Sequence, residues 1–168
     1  MRFSINSVDI DAVIFDFDGV LTDNCVFTND AGDEFVRCNR GDGLALQELK
    51  KLGLKLFIVS TEKNKVVTSR GKKLGIPVFQ NVNNKVDSIN QLAESEDLNL
   101  KRVLYVGNDL NDLQVMRCCG FSACPSDAHP KIKETSTFML KRAGGSGIVR
   151  EIIDDIFKID IVNLLYSK

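Results

Sequence analysis

AVIFDFDG, residues 12–19, is the stretch from which the fold of this 168-residue chain can be inferred. Its first four residues form a short, continuous and partly β-branched apolar run, which is typical of a strand buried on both faces of a sheet. Strands of this kind occur in parallel sheets that carry helices on both faces. The two carboxylates that follow would lie at the carboxyl end of the strand, where such sheets bind their ligands.

Similar apolar runs recur along the chain and alternate with segments of helical spacing. Strands are predicted at 12–15, 54–59, 78–79, 102–106, 121–123 and 138–140, and helices at 44–52, 64–74, 86–93, 113–119 and 148–157. This alternation predicts an α/β fold built on a doubly wound parallel sheet. Residues 26–37 interrupt it with a predicted β-hairpin that turns at 29–32. His129, the only histidine, is expected in a surface loop.

The length and composition indicate one ordinary globular domain over residues 1–168. The chain has 22 Lys and Arg residues and 23 Asp and Glu residues, and the resulting net charge of −1 argues against nucleic-acid and membrane-surface partners. No run reaches the roughly 18 apolar residues of a membrane span, and no apolar signal region opens the chain. The five cysteines include no CxxC pair, which favours reduced thiols in a cytoplasmic protein over a disulfide or zinc framework.

Polar residues follow each of four predicted core strands. They are Asp16 and Asp18 after the first strand, Ser60, Thr61, Glu62 and Lys63 after the second, Lys85 after the third, and Asn108, Asp109 and Asp112 after the fourth. Because the carboxyl ends of parallel strands meet at one edge of a sheet, we expect these side chains to share one site. Clustered carboxylates repel one another, and Mg²⁺ prefers such oxygen ligands. A cation, a lysine and a hydroxyl around a carboxylate form a site for a phosphoryl group.

The order of these motifs between residues 11 and 112 resembles the four motifs of the haloacid dehalogenase (HAD) phosphatase superfamily, which implies a Rossmann-like HAD fold. The resemblance implies that Asp16 is the nucleophile and forms an aspartyl-phosphate. Asp18 would act first as general acid and then as general base. Mg²⁺ would be held by Asp16, Asp109 and the backbone carbonyl of Asp18.

The same resemblance gives roles to four further residues. Ser60 would hold a phosphoryl oxygen, and Lys85 would neutralise negative charge on the nucleophile and the phosphoryl group. Asp112 would order either the metal shell or Lys85, and Asn108 would belong to the same outer shell.

The spacing of the motifs leaves no room for a separate cap domain over the site. Residues 18–60 hold only the hairpin and one helix, and residues 60–85 hold one helix and one strand. This capless pattern looks like the 3-deoxy-D-manno-octulosonate 8-phosphate (KDO 8-phosphate) phosphatase family, which the segments 19–23, 42–44 and 144–151 also resemble.

The family resemblance implies a homotetramer in which the hairpins associate and a neighbouring subunit lines each active site. A two-stranded hairpin is marginally stable alone, so it should bury an apolar face against copies of itself. Phe27, Phe35 and Val36 are the candidates for that face.

The resemblance also places Arg142, Gly144 and Gly145 near the active site, as candidate substrate-binding residues. Taken alone, residues 144–147 favour a flexible loop that leads into a helix.

The second motif departs from the octulosonate enzymes, which usually carry Ser-Gly-Arg there. Residues 60–63 read Ser-Thr-Glu-Lys, which is similar to the branch that acts on the nine-carbon sialic acid or KDN 9-phosphates. A Glu would accept hydrogen bonds from sugar hydroxyls, whereas an Arg would pair with a carboxylate or phosphate. Thr61, Glu62 and Lys63 are therefore predicted to contact the phosphorylated sugar acid.

A nonulosonate 9-phosphate is favoured slightly over KDO 8-phosphate as the substrate. Two alternatives stay open. One is a KDO 8-phosphate phosphatase proper, and the other is a phosphatase-like oligomerisation domain that works with an acylneuraminate cytidylyltransferase.

Overall fold

The computed structural model describes residues 5–166, so residues 1–4 and 167–168 of the predicted domain lie outside it. The strands are β1 (Ala12–Phe15), β2 (Thr22–Thr28), β3 (Glu34–Cys38), β4 (Lys55–Val59), β5 (Val78–Phe79), β6 (Val103–Val106), β7 (Phe121–Cys124) and β8 (Phe138–Met139). The helices are α1 (Arg40–Lys51), α2 (Val66–Leu74), α3 (Lys85–Glu96), α4 (Leu113–Cys118), α5 (Pro130–Thr135), α6 (Ile148–Glu151) and α7 (Ile161–Tyr166).

Six strands form one parallel sheet in the order β5-β4-β1-β6-β7-β8. The strand β1 lies in the middle, where Ile14 pairs with Phe57 of β4 and Tyr105 of β6. The chain fills one half of the sheet with β4 and β5 and the other half with β6, β7 and β8. The doubly wound fold predicted from the sequence is thus confirmed, and the crevice between its halves opens at the carboxyl end of β1.

Both faces of the sheet are covered, which explains why β1 is apolar at every position. Val13 and Phe15 belong to the core layer that includes side chains of α1, α2 and α6. Ala12 and Ile14 face the other layer, with side chains of α3, α4 and α5. Successive strand residues point to opposite faces, so a strand buried on both sides needs a continuous apolar run.

The hairpin of β2 and β3 forms a separate antiparallel sheet. Phe27 pairs with Phe35 and Val26 with Val36, and directly opposed residues share a face of the hairpin. Phe27 and Phe35 are 63% and 60% exposed. Val36 packs against the core from the other face, so its assignment to the same apolar face as the two phenylalanines was wrong.

The sequence missed two helices, α5 and α7, and misplaced the start of a third. His129 is a half-exposed loop residue, as predicted, and it also caps the short helix α5. Its Nδ1 accepts a hydrogen bond from the backbone N–H of Lys131, and Pro130 occupies the first helical position. The helix α1 begins at Arg40, four residues before the predicted position, and Asn39 caps it. Two early glycines obscure its apolar spacing.

The remaining boundaries agree with the sequence to within three residues, except that β2 begins at Thr22, four residues before its predicted start. In the last predicted helix, α6 continues as a π-helix over Ile152–Ile156. Only the hairpin and α1 lie between the first two motifs, and only α2 and β5 between the second and third, so the absence of a cap is confirmed. Within residues 5–166, no helix has the length and hydropathy needed to cross a membrane.

Candidate active site

A cleft of about 380 Å³ opens at the carboxyl ends of β1, β4 and β6. Its lining residues are Asp16, Asp18, Asn24, Ser60, Thr61, Asn108, Asp109, Leu110 and Asn111. Six of these nine residues were predicted for the site from the sequence. The parallel sheet therefore brings three of the four sequence motifs to one wall of a single cleft.

The loop after β1 is tight and depends on a glycine. The carbonyl of Phe17 accepts hydrogen bonds from the N–H groups of Val20, Leu21 and Thr22. Gly19 has φ +76°, and a Cβ there would lie 2.0 Å from Nδ2 of Asn108. Glycine at this position therefore permits both the left-handed backbone and the close approach of the loop after β6.

Lys85 joins the first motif to the fourth through two buried ionic contacts. Its Nζ lies 2.9 Å from Oδ1 of Asp16 and 2.7 Å from Oδ1 of Asp112. All three side chains are buried. Lys85 is the first residue of α3, and Asn84 caps that helix by accepting from two backbone N–H groups. The helix start thus fixes where the lysine enters the site.

Asp112 anchors the loop after β6 by accepting hydrogen bonds on both carboxylate oxygens. Its Oδ2 accepts from the backbone N–H groups of Asn108 (2.9 Å) and Asp109 (3.3 Å). Its Oδ1 accepts from the Tyr105 hydroxyl at 2.9 Å as well as from Lys85. Of the two roles expected for Asp112, the ordering of Lys85 is consistent with this geometry, and the ordering of a metal shell stays a prediction.

The buried charges of this site do not balance. Two carboxylates, Asp16 and Asp112, share the single ammonium of Lys85. Burial and then the charge of Asp112 raise the pKa of Asp16 to about 7, against the opposing effect of Lys85. Burial disfavours the charged form of Lys85, but the two carboxylates outweigh it and raise its pKa. With both carboxylates ionised, the cluster carries an excess negative charge, which either a proton on Asp16 or a bound cation relieves.

Asp18 lies two residues beyond Asp16 and is partly exposed to the cleft. Burial, followed by the charge of Glu62, raises the pKa of its carboxyl. The Thr22 hydroxyl lies 3.5 Å from Asp18 Oδ1. A raised pKa suits a carboxylic acid that has to hold a proton and deliver it to a leaving group near neutral pH.

The oxygen atoms around the cleft fit a Mg²⁺ ion. Asp16 and Asp109 line it with carboxylates, and Oδ1 of Asn108 is buried without a hydrogen-bond partner. Among residues 5–166, no three acidic, histidine or cysteine side chains converge on a common point. Mg²⁺ commonly binds to one or two carboxylates and completes its shell with water and substrate phosphate, so this donor set is sufficient.

Two predicted substrate residues, Glu62 and Lys63, lie beside the cleft and do not line it. Oε1 of Glu62 accepts from the backbone N–H groups of Lys63 (2.6 Å) and Asn64 (2.8 Å), which stabilises the turn after β4. Lys63 lines an adjoining groove of about 490 Å³ between this turn and the hairpin. There the Asn64 side chain donates to Oε2 of Glu34 at 2.8 Å.

Arg142, Gly144 and Gly145 also lie outside the lining of the cleft. The two glycines are buried behind the loop after β1, where Gly145 N–H donates to the carbonyl of Val20 at 3.0 Å. Arg142 is exposed, and its guanidinium donates to the carbonyl of Ser146. As the glycine content alone predicts, residues 144–147 lead into a helix, α6, and three of these four residues are buried.

Sequence reasoning missed several residues of the site. Tyr105 is buried beneath the cleft, and burial followed by the charge of Asp112 raises its pKa well above the usual value, so its hydroxyl remains a donor. A tyrosine in the otherwise aliphatic strand β6 was the available signal. Asn24, which has φ +63°, and Leu110 and Asn111 line the cleft without a comparable signal.

Comparison with known proteins agrees with this geometry. Residues 46–152 match the family model described as haloacid dehalogenase-like hydrolase. The chain belongs to this family. The expectation of a phosphoric monoester hydrolase is confirmed with it.

Two solved structures and one curated relative are similar over most of the chain. The 3-deoxy-D-manno-octulosonate 8-phosphate phosphatase of Escherichia coli K12 is 33% identical over 147 residues, which cover 87% of this chain and 78% of the relative. A HAD-family protein from Streptomyces avermitilis has a TM-score of 0.89 and 40% identity, over 92% of this chain and 88% of that chain.

The third relative is the 3-deoxy-D-manno-octulosonate 8-phosphate phosphatase of Moraxella catarrhalis, whose crystal structure contains magnesium, phosphate and KDO. It has a TM-score of 0.86 and 31% identity, over 90% of this chain and 88% of that chain. The resemblance to the capless KDO 8-phosphate phosphatase-like family is thereby confirmed.

The Asp16→Asn variant should lose phosphatase turnover while it keeps its fold. The amide retains an oxygen for Lys85 but is a far weaker nucleophile, so a loss of several orders of magnitude is expected. Phosphate release from p-nitrophenyl phosphate measures the rate, with circular dichroism as the folding control. Asp30→Asn, at an exposed position in the hairpin turn, should behave like the parent protein.

If Asp16→Asn retained more than about one-tenth of the parent rate, Asp16 would not be the nucleophile, because loss of such a group is far more costly.

Proposed function

We propose that this chain hydrolyses the terminal phosphate monoester of a 2-keto-3-deoxy sugar acid through an aspartyl-phosphate on Asp16. The observation that carries the proposal is the contact of Lys85 with both Asp16 and Asp112, at 2.9 and 2.7 Å, beneath a cleft that also contains Asp18. This arrangement supplies a nucleophile, a charge-neutralising ammonium and an acid–base group at one reacting phosphorus.

The reaction follows from the positions of these groups. The Asp16 carboxylate attacks phosphorus, and the bond from phosphorus to the sugar oxygen breaks as Asp18 gives that oxygen a proton. Asp18 then takes a proton from water, which attacks the aspartyl-phosphate, releases inorganic phosphate and regenerates Asp16. Ser60, which is buried at the cleft wall, is suited to donate to a phosphoryl oxygen.

A Mg²⁺ ion held by Asp16, Asp109 and the Asp18 carbonyl would offset the repulsion between the carboxylate and the phosphate. The magnesium and phosphate in the Moraxella catarrhalis relative support this assignment.

The direct test is a panel of phosphate monoesters assayed with Mg²⁺. The panel contains KDO 8-phosphate, sialic acid 9-phosphate, KDN 9-phosphate and p-nitrophenyl phosphate. At least one sugar acid ester should release phosphate faster than p-nitrophenyl phosphate, and chelation should abolish all release until Mg²⁺ is restored. Full activity after exhaustive chelation, or no release from any sugar acid ester, would contradict the proposal.

The substrate could be an eight-carbon or a nine-carbon sugar acid. The names of the curated relatives support the eight-carbon KDO 8-phosphate. Glu62 supports the nine-carbon candidate that the sequence favours, because only one of its carboxylate oxygens is used in the turn after β4, and its charge acts on Asp18 in the cleft. The other oxygen could therefore accept a hydrogen bond from an additional sugar hydroxyl.

If Glu62 reads the nine-carbon sugar, the parent enzyme should have a higher kcat/KM for a nonulosonate 9-phosphate than for KDO 8-phosphate. Glu62→Ala should then reduce this preference by about 1–3 kcal/mol, the cost of losing a hydrogen bond to a polar group. Glu62→Gln, which keeps the acceptor for the turn, is the matched control for local unfolding.

Hydrolysis of p-nitrophenyl phosphate should change less than the preference between sugar acids in either variant. Its nitrophenolate leaves without a proton from Asp18, and the loss of the Glu62 charge acts on Asp18 equally for both sugar acids. Equal slowing of every substrate, or a parent enzyme that prefers KDO 8-phosphate, would exclude the nine-carbon candidate.

The presence of Asp16, Asp18, Lys85 and Asp109 around one cleft favours an active enzyme over a non-catalytic oligomerisation domain for a cytidylyltransferase. All five cysteines are free thiols, which fits the proposed cytoplasmic location.

We further propose that the hairpins assemble this chain into a homotetramer. Phe27 and Phe35 form an exposed aromatic pair on one hairpin face, which a second copy would remove from water. Phe27→Glu should convert the assembly to smaller species in light scattering, because a buried unpaired charge is strongly unfavourable. Val8→Glu, at an exposed apolar residue elsewhere, should leave the assembly intact, and a monomeric parent protein would refute the tetramer.

A further inference from the structure

Asp42, in the first turn of α1, is a buried carboxylate that the proposed reaction does not use. It is only 2% exposed. Its Oδ1 accepts from the backbone N–H groups of Val149 (2.9 Å) and Arg150 (3.4 Å), which lie in the first turn of α6. Its Oδ2 has no hydrogen-bond partner. Asp42 therefore ties α1 to a segment more than 100 residues away through one oxygen atom.

A second buried carboxylate holds the other end of the same segment. Oε1 of Glu151 accepts from Lys141 N–H at 2.6 Å, and its Oε2 accepts from Arg142 N–H at 2.9 Å. Residues 141–150, which we call the glycine-rich segment, are thus fixed at both ends by side chains from helices.

Between these ends the glycine-rich segment lies directly on the loop that follows Asp18. Gly145 N–H donates to the carbonyl of Val20, and a Cβ at Gly144 would lie 2.1 Å from the carbonyl oxygen of Gly19. The contact is therefore backbone against backbone, with no space for a side chain. A shift of the glycine-rich segment must move the loop that carries Asp18 or break this contact.

We infer that Asp42 is a positioning residue for the phosphatase reaction. By holding the start of α6, it keeps the glycine-rich segment against residues 19–22, and so keeps the Asp18 carboxyl aligned with Asp16. We call the two hydrogen bonds that Asp42 accepts from Val149 and Arg150 the clamp. The effect on rate rests on the proposed function. A displacement of a reacting group by about 1 Å can slow an enzyme 100-fold, so a clamp of this kind can matter far from the chemistry.

The two hydrogen bonds of the clamp require only an acceptor oxygen on residue 42. Burial raises the pKa of Asp42 to about 6 even though two N–H groups and the nearby Arg142 and Arg70 oppose this. Because Oδ2 has no partner, an asparagine amide can supply the same oxygen to Val149 and Arg150. Asparagine should therefore preserve the clamp, and alanine should remove it.

Glu48 provides a matched control on the same helix. It is also buried, one of its carboxylate oxygens lacks a partner, and its other oxygen lies 2.9 Å from Nζ of Lys51. It makes no contact of this kind with the glycine-rich segment among the hydrogen bonds of residues 5–166. Glu48→Ala thus tests the general effect of removing a buried carboxylate from α1.

The experiment compares Asp42→Ala, Asp42→Asn, Glu48→Ala and the parent protein with p-nitrophenyl phosphate and Mg²⁺. Asp42→Ala should lower kcat by about 10-fold or more with little change in KM. The fault lies in the alignment of Asp18, which must deprotonate the attacking water for every ester, and not in substrate binding. Asp42→Asn should stay within about threefold of the parent kcat. Glu48→Ala should do so as well, even if its melting temperature falls as much as that of Asp42→Ala.

Amide hydrogen exchange gives a readout that does not depend on turnover. Residues 19–22 should lose protection in Asp42→Ala and keep it in Asp42→Asn and Glu48→Ala. If the parent protein hydrolyses no ester, the proposed function fails, but the exchange result still decides whether the clamp exists.

Three results would overturn the inference. The first is a folded Asp42→Ala protein with parent kcat and parent protection at 19–22. The second is a loss of kcat in Glu48→Ala equal to that in Asp42→Ala. The third is a loss of kcat in Asp42→Asn as large as that in Asp42→Ala. Should Asp42→Ala not fold, Asp42→Ser is measured in its place; if neither folds while Glu48→Ala does, Asp42 serves stability and the inference falls.

Discussion

The active site depends on the buried ammonium of Lys85 and its two ionic contacts, with Asp16 and with Asp112. A charge can be buried only when partners compensate for its lost hydration, and removal of one partner leaves the others unpaired. The loops after β1 and β6 and the start of α3 therefore have to meet at hydrogen-bond distance. With both carboxylates ionised, this arrangement leaves one negative charge in excess, so the contacts that hold three elements together also favour the binding of a cation.

Close backbone contacts fix the rest of the site around this charge cluster. Gly19 lets the loop after β1 approach Asn108, and Gly144 lets the glycine-rich segment lie on the carbonyl of Gly19. When two backbone segments pack directly on each other, a shift of one displaces the other, because no flexible side chain lies between them. The position of Asp18 is consequently sensitive to elements that never touch the substrate, and Asp42 at the start of α1 is one of these.

The cleft is open because only a hairpin and single helices separate the motifs. An open site excludes water poorly, and water weakens every electrostatic interaction that the site could use. The exposed pair Phe27 and Phe35 lies on that same hairpin. Either a neighbouring copy of the chain or the bound sugar acid could cover the cleft. The proposed tetramer is therefore linked to the proposed phosphatase activity.

The sequence by itself determined the central strands and the order of the site residues. Ala12–Phe15 is apolar throughout because a strand covered on both faces must exclude water on both, and the ends of parallel strands share one edge. It could not locate α5 or the start of α1, where caps, proline and glycine hide the apolar spacing. Only the tertiary structure decided that Tyr105 donates to Asp112 and that Asp42 holds Val149. These contacts arise when packed layers bring separate segments together, so no local pattern in the chain records them.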